Sequence, residues 1–576
     1  MHNSYFAGVI HYGLLLMTIG LLALLTTHCN QPAKPSANAT VDWEDTALVA
    51  AGEELFETYC ITCHAIKGEG SGPALGGITA VTSPQWVADF ITNPQQMVAA
   101  GDPRAVEVDR AYPAMMPGFQ YMAEGDIHAL VAYLHSHKEV RAQGVSLPPG
   151  IEDPISAPIP LSEVVVELRE VMQLPATSDK RPLARINKMV PNPMNELFVQ
   201  DLNGVLYRIV DGEASVFLDV REHFEHFVSR PGLATGFGSF AFHPDYASNG
   251  LLYTTHTEKG SGQTADFALP DSLRALQWVL VEWRTPVPGE TPLKGSNREL
   301  MRIDYPGTIH GVQNIAFNST VRPGDPDYGY LYLGAGDGRA ALSGYPTLVE
   351  GVGSIWGALL RIDPQGTNSA NGRYGIPANN PFSETEGAIR EIYAHGFRNP
   401  HHFIWRADGG LILTNIGERN LESIYVIERG ADYGWPRREG SLMIKFAEEN
   451  TKVYARPDDD KGYSYPVAEY DHDEGRAICG GYVYTGPIRS LSDKWLFGDI
   501  VTGRLFFVPA ASLREDGDAS IQEWRVMLNG QVGTLREHFG KGRIDLRFGY
   551  DAAGQYYLMT KWNGKIYQLV NESPSA

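Results

Sequence analysis

The chain has 576 residues, with 68 acidic against 47 basic side chains and a net charge of −21. A hydrophobic fraction of 43% with 10% aromatics excludes a disordered chain, and the acidic balance excludes a phosphate-backbone binder, so nucleic acid is not an expected partner. Four cysteines in a chain of this length cannot form a disulfide scaffold, and each needs its own explanation.

Phe6 to Leu25 is almost wholly apolar and reads, within residues 1–29, as an export segment that is also just long enough to span a bilayer. Cys29 follows it and opens a polar, Pro-containing tether over residues 30–44, the arrangement of a bacterial lipoprotein lipidated on Cys29. No Lys or Arg precedes Lys34, and His28 stands where a small residue is usual, so an uncleaved anchor and plain secretion stay open. All three place the remainder outside the cytoplasm, in the periplasm or at the cell surface, and the first two add membrane contact through the N-terminal anchor.

Residues 45–138 read as a small all-α domain. Asp45 to Tyr59 has helical periodicity, and Ile127, Leu130, Val131 and Leu134 fall at i, i+3, i+4 and i+7 of a closing helix. Between them stands Cys60-Ile61-Thr62-Cys63-His64. On one helical turn this spacing lets Cys60 and Cys63 form thioethers to one porphyrin while His64 reaches the iron, which is c-type haem attachment. Zinc would need a second Cys or His pair, and the other cysteine left after export, Cys479, is far away and reads as a small buried residue. Past a Gly/Pro-rich loop, Tyr112 to Phe119 resembles the axial-methionine loop of class I cytochromes c, where Met precedes Pro. Met116 is therefore the expected sixth ligand, with Met97, Met115 and Met122 as alternatives. A thioether opposite an imidazole favours ferrous iron and suits an electron carrier. His135 and His137 read as solvent-side residues.

Residues 139–160, with Pro148, Pro149, Pro154 and Pro158, read as a semi-stiff linker. Over residues 161–572 the pattern becomes short alternating strands ended by Gly, Asn or Asp. A loose unit, in most cases strand–turn–strand, recurs at Leu197 to Ile209, Gly250 to Thr257, Tyr328 to Ala335, Gly409 to Ile427, Gly481 to Tyr484 with Trp495 to Val508, and Gln555 to Val570. Repeats at roughly 40–60 residues fit an all-β propeller of six blades better than two β-sandwiches, because each unit buries its faces on its neighbours. Asp458 to Asp460 and Asp471 to Glu474 read as a solvated acidic face rather than a metal site.

In this half Phe240-Ala241-Phe242-His243-Pro244-Asp245-Tyr246, Gly336-Asp337-Gly338-Arg339, Leu359-Leu360-Arg361-Ile362-Asp363, His395-Gly396-Phe397-Arg398-Asn399-Pro400, Tyr433-Gly434-Trp435-Pro436 and Gly480-Gly481-Tyr482-Val483-Tyr484 occur in that order. Together they resemble the glucose/sorbosone dehydrogenase family, whose better-known members use pyrroloquinoline quinone (PQQ) and Ca²⁺. The resemblance implies a catalytic base at His310, in His310-Gly311-Val312-Gln313-Asn314-Ile315, where the family's Gly-Arg has become Gln313-Asn314; a packed strand-end histidine is the other reading. It implies that Arg398, Asn399, Arg543 and Arg547 hold PQQ, and that Gly417 and Glu418 hold Ca²⁺ through backbone carbonyls, with a further oxygen available from Glu418. His243 reads as structural, and Tyr433 and Trp435 as blade packing. Two family positions differ: a Gln is replaced by Ala234 or Thr235, and the Lys that pairs with the quinone falls at Val501-Thr502. The function this implies is oxidation of a sugar or related alcohol or aldehyde at PQQ, with electrons passing through haem c to a respiratory-chain acceptor. The alternative is an electron-transfer cytochrome whose propeller binds carbohydrate or protein without PQQ.

Overall fold

The computed structural model describes residues 41–61, 64–66, 72–111, 116–138, 150–179, 182–232, 234–260, 262–445, 449–457, 460, 462–514, 519–540 and 542–572. The export segment, Cys29, Cys63, Met115, residues 139–149 and Asp458-Asp459 lie outside them.

The helical part runs through α1 (Thr46–Tyr59), α2 (Ile78–Val81), α3 (Pro84–Thr92), α4 (Pro94–Ala99), α5 (Pro103–Ala111) and α6 (Glu124–Ser136). Helix α1 starts at Asp45, whose carboxylate accepts the amides of Ala47 and Leu48. It crosses α6 so closely that a Cβ on Gly52 would lie 1.9 Å from the Ala129 carbonyl oxygen, so this contact requires glycine. The closing-helix stripe is buried as expected, with Ile127, Leu130, Val131 and Leu134 packing on Phe56, Val87, Ile91 and Phe119. His135 and His137 are half-buried rather than solvent-side: His135 Nδ1 lies 3.0 Å from Thr79 Oγ1 on α2, and His137 stands edge-on to Tyr133.

From Leu161 onward the chain is a six-bladed propeller. Blade 1 is Ile186–Pro191, Leu197–Asp201, Val205–Val210 and Glu213–Asp219; blade 2 is Phe237–Phe242, Leu251–Glu258, Leu276–Arg284 and Ser296–Tyr305. Blade 3 is Val312–Phe317, Leu331–Ala335, Ala358–Ile362 and Ile392–His395. Blade 4 is Pro400–Trp405, Leu411–Asn415, Leu421–Ile427 and Ala468–Asp471, with a three-stranded excursion, Arg438–Glu439, Leu442–Lys445 and Glu449–Tyr454, before its outer strand. Blade 5 is Ile478–Cys479, Lys494–Asp499, Leu505–Pro509 and Gln522–Leu528. Blade 6 takes Leu546–Tyr550, Tyr556–Thr560 and Lys565–Glu572, and its outer strand comes from the other end of this half, β1 (Leu161–Gln173), which pairs antiparallel with Lys565–Glu572. That pairing closes the ring, since both ends of this half then meet in one blade, which the Met189–Gly549 pair of inner strands joins to blade 1. Each recurrent unit read from the sequence contributes one or two strands to a single blade, except Gly481 to Tyr484, which forms no strand of its own. Large aromatic side chains, Trp283, Trp495 and Trp524 among them, fill the space between blades.

Two surface readings change. The end of the Pro-rich linker is fastened to the propeller: the Ile151 amide donates to the Val453 carbonyl (2.8 Å), that of Ile155 to Asp471 (3.0 Å) and that of Ile159 to Glu474 (2.9 Å). Asp460, Asp471 and Glu474 are therefore not part of a solvated face, whereas Asp473 is exposed as expected. Asp460 takes a two-pronged bond from Arg438 at 2.9 and 2.6 Å, and Glu474 pairs with Arg504, so the carboxylates are spent on internal partners.

Candidate functional site

A cavity is bordered by Cys60, the cap of helix α1, together with His64 and Met116. Its remaining helical-domain lining is chiefly apolar, including Trp86, Phe90, Ile91, Leu130 and Leu134. His64 is buried, and its Nδ1 lies 2.9 Å from the Pro73 carbonyl oxygen. A carbonyl can only accept, so Nδ1 carries the proton and Nε2 keeps a lone pair for a metal. Burial depresses the imidazole pKa, the Pro73 bond opposes this, and the Arg419 and Arg476 charges depress it further. A Cβ on Gly72 would stand 2.3 Å from His64 Cε1, so only glycine leaves room for the ring. Gln95 of α4 donates to the Met116 carbonyl. Met97 and Met122 do not line the cavity. These residues fit a haem: a thiol, an imidazole of the required tautomer and a thioether border one largely apolar space.

The far wall of this cavity belongs to the propeller: Arg476, Val501, Arg543, Asp545 and Trp562. The two parts dock there through a hydrogen bond from the Gly232 amide to Thr58 Oγ1 (3.2 Å), one from Arg339 Nη2 to the His64 carbonyl (3.1 Å), and the edge of Tyr121 on Trp562. Arg185 braces the Gly232 loop by donating to the carbonyls of Ser229, Gly232 and Thr235.

Of the propeller residues singled out in the sequence, His310, Asp337, Arg339 and Arg398 gather beside this docking contact. His310 lies just before the inner strand of blade 3, in the left-handed region at φ 56°. Its Nδ1 is 2.7 Å from Asp337 Oδ1, and Asp337 also accepts from the Arg339 amide (2.7 Å) and Trp435 Nε1 (3.2 Å). Burial works against the Asp337 charge, yet the bond from His310, the His310 charge and Arg398 hold its pKa below the usual carboxylate range. An ionised Asp337 fixes the proton on His310 Nδ1 and leaves Nε2 as a base; burial and the Arg398 charge keep that imidazole neutral below its ordinary pKa. Gln313 and Asn314, which stand in place of the family's Gly-Arg, tie into the scaffold: Gln313 donates to the Ala234 carbonyl (3.0 Å) and Asn314 to that of Phe403 (3.4 Å). His243 is structural, its Nδ1 accepting the Asp245 amide. Tyr433 stacks on Phe397, as blade packing requires.

Arg398 donates through Nε to Glu418 Oε2 (2.7 Å), both side chains being buried, and its carbonyl accepts the Asp337 amide, which binds blade 4 to blade 3. The Glu418 carboxylate, read in the sequence as a spare oxygen for Ca²⁺, is thus directed to a guanidinium instead. Among the described residues, no group of three or more His, Cys, Asp or Glu side chains is arranged to hold a metal ion. Asn399 lies beside Arg398, its amide donating to Asn415. Arg547 and Arg543 part company. Arg547 is buried and donates to Asn187 Oδ1 (3.0 Å) and the Leu546 carbonyl (2.7 Å), whereas Arg543 bonds Asp545 (2.6 Å) on the wall of the helical-domain cavity. Arg339 Nε is buried without a hydrogen-bond partner among the described residues, and burial takes the pKa of that guanidinium down to about 10. A buried guanidinium with an idle donor, close to Arg398, fits an anionic carboxylate-bearing group.

Sequence reading missed Asp337 as the partner of His310, although Gly336-Asp337-Gly338-Arg339 stood out as a landmark. It also missed Thr58, Arg339 and Trp562 as docking residues; Arg339 stands in that same landmark, and no local pattern marks Thr58 or Trp562.

Against known proteins, the residue profile of the cytochrome c family matches residues 49–138, and that of "Glucose / Sorbosone dehydrogenase" matches residues 185–537. The chain is 27% identical over 373 residues to the HIPL1 protein of Arabidopsis thaliana, a match covering 55% of this chain and 50% of that one. It is 24% identical over 287 residues to quinoprotein glucose dehydrogenase B of Acinetobacter calcoaceticus, covering 48% of this chain and 52% of that protein. The chain thus spans about half the length of the curated relatives it matches. A solved glucose dehydrogenase covers 70% of this chain and 99% of its own, with a TM-score of 0.50 at 15% identity, a likeness of fold.

Proposed function

Because the chain belongs to the glucose/sorbosone dehydrogenase family and carries a cytochrome c domain ahead of that fold, we propose that it is an extracytoplasmic quinohaemoprotein oxidising a sugar or related alcohol or aldehyde. The observation that carries this reading is the placement of the His310–Asp337 pair at the propeller end on which the haem-binding motif docks. When bound, PQQ would accept hydride from the substrate carbon, and the haem would take the electrons onward singly. Arg339, Arg398 and Asn399 would hold the quinone carboxylates.

His310 Nε2 takes the substrate hydroxyl proton. Asp337 stabilises the imidazolium that results and keeps the ring in register, and Trp435 and the Arg339 amide fix Asp337 in turn. Arg339 joins this group to the haem side, since its amide bonds Asp337 and its guanidinium bonds the His64 carbonyl. Covalent tethering gives the carrier a high effective concentration at the site. Electrons would leave to a respiratory-chain acceptor, with the chain held at the membrane through its N-terminal segment, lipidated at Cys29.

The test is reconstitution of haem-loaded protein with PQQ and Ca²⁺, followed by sugar-dependent haem reduction. Reduction supports the reading, and none across a broad sugar panel overturns it. A second reading, a propeller that binds carbohydrate or protein without quinone, is favoured by the internal Arg398–Glu418 pair and by Val501 in place of a lysine. Equilibrium titration with PQQ separates the two: no binding, with the haem still redox-active, selects the second.

A further inference from the structure

The cavity that holds Cys60, His64 and Met116 is not completed by the helical domain. Its open side is closed by Arg476, from the segment between blades 4 and 5, and by Arg543 and Trp562 of blade 6. A haem carries two carboxylates, and a buried carboxylate without a counter-charge is strongly disfavoured. The charged residues lining the space are Arg104 and Asp109 of the helical domain and Arg476, Arg543 and Asp545 of the propeller. Arg104 already donates to the Val81 carbonyl and lies over the Trp86 ring. Asp109 and Asp545 would repel a carboxylate, and Asp545 is engaged by Arg543. Two of the three cations are thus contributed across the domain boundary, and guanidinium is the group whose fork matches a carboxylate.

Resting on the reading that haem is attached at Cys60 and Cys63, the geometry points to a haem propionate site built by the propeller: Arg476 and Arg543 bind the haem carboxylates, so the enzyme domain completes the cytochrome. This reassigns Arg543 from the quinone to the haem. It also couples the docking to the haem, since undocking would part the haem carboxylates from two guanidiniums and Tyr121 from Trp562.

The test uses the full-length haem-loaded chain. R476Q, R543Q and the double variant are compared with wild type by resonance Raman spectroscopy of the propionate bending modes and by haem midpoint potential. The expected result is full covalent haem, shifted propionate modes, and a potential lowered in each single variant and further in the double, because uncompensated carboxylates favour the ferric ion. R476K/R543K, which keeps charge but loses the fork, should restore the potential and leave the modes shifted; it also serves if the double glutamine variant does not fold. Unchanged modes and potential at full haem content overturn the inference. So does R104Q reproducing the whole shift, or R543Q abolishing PQQ binding while leaving the haem signals as they were. Absence of covalent haem from wild type is read by mass beforehand; it overturns the attachment reading and this inference with it.

Discussion

The helical domain and the propeller bury their chemistry in opposite ways. The helical domain wraps a handful of apolar side chains around a space it does not itself fill, bordered by Cys60, His64 and Met116. The propeller fills the space between its blades with its own aromatic residues and closes itself through β1 (Leu161–Gln173), so its fold owes nothing to a ligand. One region is an incomplete core with a compact motif. The other is a complete core carrying a site assembled from distant turns. Chemical identity is therefore concentrated in the first and dispersed in the second.

The sharpest break of this contrast is removal of the haem. In the Cys60→Ser/Cys63→Ser double variant, the lining of the helical cavity loses its occupant. Calorimetry should show the helical domain's transition disappear while the propeller's remains. A propeller transition that vanishes as well would mean the two cores are one cooperative unit. The next effect falls on the other side. His310→Ala should lower the rate of sugar-dependent haem reduction by ~10²–10⁴-fold and leave the haem spectrum untouched. A full rate would remove His310 from the chemistry and leave it as a strand-end residue.

Smaller changes sharpen the comparison further. Gly72→Ala places a methyl 2.3 Å from His64 Cε1, so the imidazole must shift. A loss of about 1–3 kcal/mol from the helical transition is expected, with weakening of the low-spin haem bands and no change in propeller melting. For His310 the sign follows from its depressed pKa: the neutral base survives below pH 6.5, so the acid limb of the rate profile lies under that value and the rate is flat above it. The linked stability has the same sense. Protons bind the unfolded chain first, so the contribution is present above pH 6.5 and is lost as pH falls toward the folded value. An acid limb above pH 6.5 would contradict the burial seen here.

Legibility in the sequence follows the same divide. The haem motif and its closing helix lie within local patterns that spacing and periodicity suffice to read, and Met116 is carried by the resemblance of its loop to that of class I cytochromes c. The six-fold repeat was legible because each blade repeats a strand–turn–strand unit. Ring closure was not, since β1 pairs with a strand some four hundred residues onward in the chain and alternation does not encode a partner. His310 was found by resemblance, but Asp337, twenty-seven residues away, becomes its partner only when two turns of blade 3 meet. Arg543 and Arg547 look like one cluster in the sequence. They serve different surroundings because Arg547 enters the inner strand of blade 6 while Arg543 stays in the loop that faces the helical domain. The acidic stretch misled for a general reason: sequence counts charges but not the Arg438 and Arg504 side chains that neutralise them.

The mildest change probes whether the dispersed site is tuned as finely as the local one. Trp435→Phe keeps a six-membered aromatic ring in the core between blades but removes the pyrrole half of the indole, and with it the Nε1 donor 3.2 Å from Asp337 Oδ2. One hydrogen bond to a charged group is worth about 1.5–3 kcal/mol, but Asp337 keeps its bonds from His310 and the Arg339 amide, so the stability lost should come mainly from the smaller side chain in the core. The consequence for the dyad should be electrostatic. A carboxylate with one donor fewer pulls harder on the His310 proton and stabilises the imidazolium, so the His310 pKa rises. The acid limb of haem reduction should then move toward higher pH by less than about one unit, with the plateau rate nearly unchanged. A falling plateau at a fixed limb would mean that Trp435 positions substrate or quinone rather than the dyad, and that Asp337 is held by the other two donors alone.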